Sequence, residues 1–70
     1  MEIVKIKTEF IKLDQLLKWI DVVSSGVEAK IVIQDGMVKL NGEIETRRGK
    51  KIYDGDIIEF EDKKYKIIRE

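Results

Sequence analysis

The sequence predicts an α+β fold, a two-helix hairpin packed on a small, mainly antiparallel β-sheet. Three observations predict it. Apolar residues recur with a helical period only between Lys12 and Gly36. The rest of the chain alternates in short β-branched runs, and tight-turn pairs such as Asn41-Gly42 and Asp54-Gly55 separate those runs.

Residues Glu2 to Lys7 alternate around Ile3, Val4 and Ile6, with Lys5 and Lys7 between and after. That is a short strand, placed at a sheet edge because lysines are tolerated there. From Lys12 the period changes: Leu13, Leu16, Leu17 and Ile20 fall at i, i+3, i+4 and i+7, so a helix is expected over about Leu13 to Ile20. Asp14 lies in its first turn, where a carboxylate suits the helix dipole. Ser24-Ser25-Gly26 interrupts the chain, and Ser25 with Glu28 three residues on forms a capping box opening a second helix. This helix carries Ala29, Val32 and Ile33 on one face and stops at Asp35-Gly36. The short connection makes the two helices a hairpin.

Beyond Gly36 the pattern is sheet. Met37 to Leu40 is a strand that turns at Asn41-Gly42 into Glu43-Ile44-Glu45. Ile52-Tyr53 leads to a turn at Asp54-Gly55, and Ile57 to Phe60 is the next strand. A turn at Glu61-Asp62-Lys63 precedes Tyr65 to Ile68, which is free to pair with the first strand and tie the two ends together. Phe10, Phe60 and Tyr65 read as core or sheet residues. No repeat, linker or low-complexity stretch divides the chain, so residues 1–70 are expected to form one domain.

Composition narrows the function. With no His and no Cys there is no ordinary zinc site, thiol nucleophile or imidazole acid/base, so no catalytic residue, metal or cofactor is expected. Catalysis by carboxylates alone would need a cleft for which 70 residues leave little room. The apolar runs are far short of the ~20 residues that span a bilayer, and the start lacks a signal-peptide core. A cytoplasmic, non-enzymatic monomer is the expectation. Fourteen basic residues balance fourteen acidic ones, so any polyanion site must come from where the charges sit.

The one concentrated cluster is Arg47-Arg48-Gly49-Lys50-Lys51. Arginine offers a planar fork for phosphate oxygens, lysine a mobile point charge, and glycine close backbone approach. The bland alternative is a solvated loop. Carboxylates at Glu43, Glu45, Asp54 and Asp56 flank the cluster but need not cancel it in space. Lys12, Gln15 and Lys18 on the first helix and Lys30 on the second extend the candidate surface. Ser24 and Ser25, with the first N–H groups of the second helix, are suited to a phosphate. Asp14 and Glu28 lie within this surface, and helix capping is the simpler role for both. Trp19 falls beside the apolar stripe, where packing at the rim of the core is expected and base stacking is the alternative, as it is for Tyr53.

The order of these features resembles the S4 RNA-binding domain, named after small-subunit ribosomal protein S-four. The residues that carry the resemblance are Lys12-Leu13-Asp14-Gln15-Leu16-Leu17, Ser24-Ser25-Gly26-Val27-Glu28-Ala29-Lys30, Gly36-Met37-Val38-Lys39-Leu40-Asn41-Gly42 and Asp54-Gly55-Asp56. Together they cover Lys12 to Phe60. With Glu43 to Lys51 the chain looks most like the stand-alone bacterial members called YaaA-like. The resemblance implies the alpha-L type RNA-binding motif, with structured RNA, ribosomal or transfer RNA, lying across the hairpin face, and possible contact with the ribosome. It also implies an RNA-gripping role without chemistry. The chain departs from the family pattern in two places. Lys12 stands where many members have arginine, which forfeits a bidentate phosphate contact. Gly26 and Val27 follow the serine where many members carry a basic residue, which shifts the weight onto Arg47, Arg48, Lys50 and Lys51. A second reading, a protein-interaction adaptor using the same hairpin face, is motivated by the zero net charge and the carboxylates beside the site.

Overall fold

A computed structural model describes residues 1–70. The elements run β1 (Glu2–Ile6), β2 (Phe10–Lys12), α1 (Leu13–Trp19), α2 (Gly26–Gln34), β3 (Val38–Leu40), β4 (Glu43–Ile44), β5 (Lys51–Tyr53), β6 (Ile57–Phe60) and β7 (Lys63–Arg69). A five-stranded sheet has the order β1-β7-β6-β3-β4, and β2 and β5 form a separate two-stranded ribbon. All pairings are antiparallel except β1 with β7, which is parallel from Glu2 opposite Tyr65 to Ile6 opposite Arg69. The first and last strands are thus tied together, with β1 on the edge, where its Lys5 is tolerated.

Alternation decides which face is buried. Val4 and Ile6, Ile58 and Phe60, and Tyr65 and Ile67 each stand two residues apart and turn inward. They join Val38, Ile52, Val23 and the helix residues Leu13, Leu16, Leu17, Ala29 and Ile33 in one fourteen-residue core. Ile52 carries the β2–β5 ribbon into that core, since it is fully buried while Lys51 and Tyr53 on either side are exposed.

Both helices stop by the same device. At the end of α2, Gly36 (φ +76°) and Met37 donate their N–H groups back to the carbonyls of Ile33 and Val32. At the end of α1, Asp21 and Val22 donate to Lys18 and Leu17, and a non-glycine residue, Asp21, takes the left-handed conformation at φ 62°. The start of α2 differs in one detail from the expected capping box. The Ser25 hydroxyl accepts the Glu28 N–H at 3.1 Å, but the Glu28 carboxylate receives the N–H of Ser24, at 2.6 Å, rather than that of Ser25.

The turns follow the same chemistry. Asn41-Gly42 joins β3 to β4 with both residues at positive φ, as a two-residue hairpin requires. Glu61-Asp62 does the same between β6 and β7 without a glycine or asparagine, at φ 51° and 65°. Side chains then staple distant turns together. The Asn41 amide donates to Asp56 at 3.0 Å and accepts the Ile57 N–H at 2.9 Å, Asp56 also accepts the Tyr53 N–H, and Asp54 accepts the Arg69 N–H.

Candidate nucleic-acid interface

The site is built where β2 runs directly into α1. Lys12 occupies the N-cap position of α1 and has no side-chain acceptor to offer the helix. The basic loop supplies the acceptors instead. The Leu13 N–H donates to the Lys50 carbonyl at 2.9 Å and the Asp14 N–H to the Arg48 carbonyl at 3.0 Å. The loop itself is closed by the Lys50 N–H on the Arg47 carbonyl at 3.1 Å. The two segments that sequence reading singled out separately, Lys12–Lys18 and Arg47–Lys51, are therefore joined by backbone hydrogen bonds.

Strand register adds to the concentration of charge. Lys12 lies directly opposite Lys51 in the ribbon, and Phe10 opposite Tyr53. Like charges facing each other across a strand pair are destabilising by a few tenths of a kcal/mol or more. Nothing acidic offsets this pair, for the only ion pair in the structure is Arg47 with Glu45. Lys51 is partly held by its neighbour, with its Nζ 4.7 Å above the centre of the Phe10 ring. The Phe10 and Tyr53 rings lie 5.9 Å apart at 48°.

Arg47 behaves differently from the rest of the cluster. Its Nε and one terminal nitrogen donate to the two oxygens of Glu45 at 2.9 and 3.0 Å, and its own N–H donates to the same carboxylate. Glu45 is nearly buried, at 9% exposure. The Arg47 hydrogen bonds outweigh the cost of burying the charge and hold its carboxyl well below the usual carboxylate range, at about 2. Arg47 is correspondingly raised. One flanking carboxylate thus does cancel a loop cation, leaving Arg48, Lys50 and Lys51 free of ion pairs.

A second group forms where α1 ends and α2 begins. A side-chain carbon placed on Gly26 would lie 4.0 Å from the Lys18 Nζ, so the Lys18 amine reaches the first residue of α2. Lys30 stands one turn further along α2 on the Gly26 face. Ser24 has both its N–H and its hydroxyl committed to Glu28, whereas the Ser25 hydroxyl, accepting from Glu28, keeps its proton to donate. Gln15, exposed one turn before Lys18, links this group to Lys12 along α1. Asp14 accepts the Gln15 N–H at 2.8 Å, a local helix-start role.

Three features escaped sequence reading. The ribbon partner β2 is one. Another is the Phe10–Tyr53–Lys51 group. The third is Trp19, which was expected to pack at the rim of the core but is 66% exposed. A run of three residues carries no readable period, although Phe10-Ile11 followed by Lys12 has strand composition.

The family model for the S4 domain matches residues 4–68. The chain belongs to the S4 domain family. Among S4-related proteins, it is 45% identical over 58 residues to the probable ribosome maturation protein RlbA of Bacillus subtilis (strain 168), covering 83% of this chain and 82% of the relative. It is 41% identical over 54 residues to YbcJ of Escherichia coli (strain K12), 77% of each chain. The solution structure of E. coli YbcJ, described as revealing an alfaL motif involved in RNA-binding, superimposes with a TM-score of 0.72. That alignment has 33% identity and covers 97% of this chain and 87% of YbcJ. The 30S ribosomal protein S4e of Thermoplasma acidophilum shares the fold at a TM-score of 0.64 and 22% identity, over 86% of this chain and 32% of that protein. The S4 fold predicted from sequence, an α+β hairpin-on-sheet arrangement of the alpha-L type, is the one found.

Proposed function

We propose that this S4 domain, acting as one unit over residues 1–70, is a non-catalytic binder of structured RNA in the cytoplasm. It grips ribosomal or transfer RNA as a monomer and serves ribosome assembly or translation. The observation that carries the reading is the gathering of Lys12, Arg48, Lys50 and Lys51 at one corner with no acidic partner, in a chain of zero net charge. Lys18, Lys30 and the Ser25 hydroxyl extend the grip across the hairpin, with Gln15 between. Arg47 acts chiefly by fixing the loop. The probable ribosome maturation role of RlbA and the involvement of the YbcJ motif in RNA binding support the same direction.

Binding of a folded ribosomal RNA fragment or a transfer RNA, followed by anisotropy across a salt series, tests the proposal. Four neutralised phosphates give a slope of log K against log salt near −3, taking about −0.7 to −0.9 per contact. Replacing Arg48 and Lys50 by alanine flattens the slope by roughly one and a half units and weakens all sequences alike. Failure of the unaltered protein to hold any structured RNA at low salt refutes the function, and an unchanged slope in the variant refutes the site.

One observation favours a second reading, the protein adaptor. Val27 and Ile31, one turn apart on α2, are both exposed. A defined protein partner retained after ribonuclease treatment, and released by Val27→Ser with Ile31→Ser, supports that reading over RNA binding.

A further inference from the structure

We propose that Trp19 is a stacking platform for a single unpaired base, so that the RNA gripped here carries a looped-out or bulged nucleotide beside its paired region. The inference rests on the RNA-binding reading above.

Trp19 is the only tryptophan of the chain and closes α1, yet the fourteen-residue core is complete without it. A large aromatic surface left in water at 66% exposure forgoes the stabilisation that burial brings to such a side chain. Its surroundings suit a nucleotide. The indole and Ile11 line a groove of about 570 Å³ whose other lining residues include Lys5, Lys7 and the Glu70 carboxylate. Trp19 and Ile11 also border a shallower recess that includes Gln15 and Lys18. Two lysines and one acidic side chain thus line the groove on one side of the indole and a third lysine lines the recess on the other, a setting complementary to a base with its phosphates. Gln15, one helical turn before Trp19, offers both a donor and an acceptor for a base edge.

Position specifies the kind of base. In a continuous duplex each base has both faces covered by its neighbours, so only an unstacked one can lie on the indole. Trp19 lies six residues from Leu13, whose N–H is bonded to the basic loop, which is about 9 Å at 1.5 Å per helical residue. The indole and the basic loop therefore sit at opposite ends of the same short helix, so one RNA can engage both. Tyr53, the other partly exposed ring of this region, already lies against Phe10 and is less free to take a base.

The lone indole is its own reporter. The full chain is titrated with a hairpin RNA bearing an unpaired loop and, separately, with a blunt duplex of the same length. Tryptophan emission and the anisotropy of labelled RNA are read together. The expected result is quenching of emission in step with binding of the loop RNA and little quenching by the duplex. Trp19→Ala should weaken loop RNA by about 5- to 150-fold, the worth of one base stacked on an aromatic ring, and leave the duplex unchanged. Trp19→Phe should keep most of the affinity, and circular dichroism confirms that both variants fold. Loop RNA that binds by anisotropy with unchanged emission, and with equal affinity for Trp19→Ala, overturns the proposal while the RNA-binding reading stands. Equal losses for loop and duplex overturn the assignment to an unpaired base. Absence of any RNA binding by the unaltered chain fails the underlying reading and the proposal with it.

Discussion

Replacing Glu45 by glutamine keeps the shape of the side chain and one acceptor for Arg47 but removes the charge. The carboxyl titrates at about 2 in the folded protein against 4.5 for an ordinary glutamate, which corresponds to an upper limit of about 3 kcal/mol. Arg47 is 70% exposed on its side of the pair, so water screens the interaction and a realistic loss is about 1–2 kcal/mol. A chain of this length has roughly 4–10 kcal/mol of stability in all, so the loss is readily measured. Because the folded state lowers the pKa, the contribution is fully present above about pH 5. It drains away as pH falls towards 2. Urea unfolding of the parent and of Glu45→Gln at pH 7 and pH 3 provides the assay. The two proteins should differ by about 1–2 kcal/mol at pH 7, with more than half of that difference gone by pH 3. A difference that is the same at both pH values would show that the Glu45 charge is not what anchors Arg47.

Three further variants test the fold that carries the interface. Asp21→Gly relieves a left-handed non-glycine residue at the end of α1 and should stabilise by about 0.5–1 kcal/mol, a rise of roughly 2–8 °C in Tm by calorimetry. Glu61→Asn with Asp62→Gly gives the β6–β7 turn the residues its positive φ angles favour, and slower hydrogen exchange in β7 should accompany a gain of about 1 kcal/mol. Ile52→Ala empties a fully buried position and should cost about 2–5 kcal/mol in denaturant unfolding. It should also weaken RNA, because the ribbon that aligns Lys12 with Lys51 loses its hold on the core.

What could be read from the order of residues, and what could not, divides by range. Asn41-Gly42 announces its hairpin because few other pairs accept positive φ twice, and Ser25 with Glu28 marks a helix start within four residues. The motif residues Asn41, Asp54 and Asp56 were legible too, and their hydrogen bonds show them to be staples of the fold. The ribbon was not legible. Phe10 finds its partner at Tyr53, and no local period reports a pairing over that separation. In the site, the run Arg47–Lys51 was plain, but its attachment to α1 rests on carbonyl groups, which every residue has. The Arg47–Glu45 pair was within reach, since residues two apart in extended chain share a side. The exposure of Trp19 was not legible, because helical periodicity tells which way a residue points but not whether another element covers it.

The carbonyls of Arg48 and Lys50 that close the start of α1 have a consequence for affinity. A free basic loop would have to surrender about 1–2 kcal/mol of backbone entropy per residue when a ligand immobilised it. Here that ordering happens during folding, since the loop cannot wander without uncovering two helix amides. The cations are presented preorganised, and most of their attraction for a phosphate remains as net affinity. The length of the loop is fixed by the same bonds. A residue inserted between Arg47 and Lys51 would leave every charge in place, yet it would uncap the helix and return the loop to disorder.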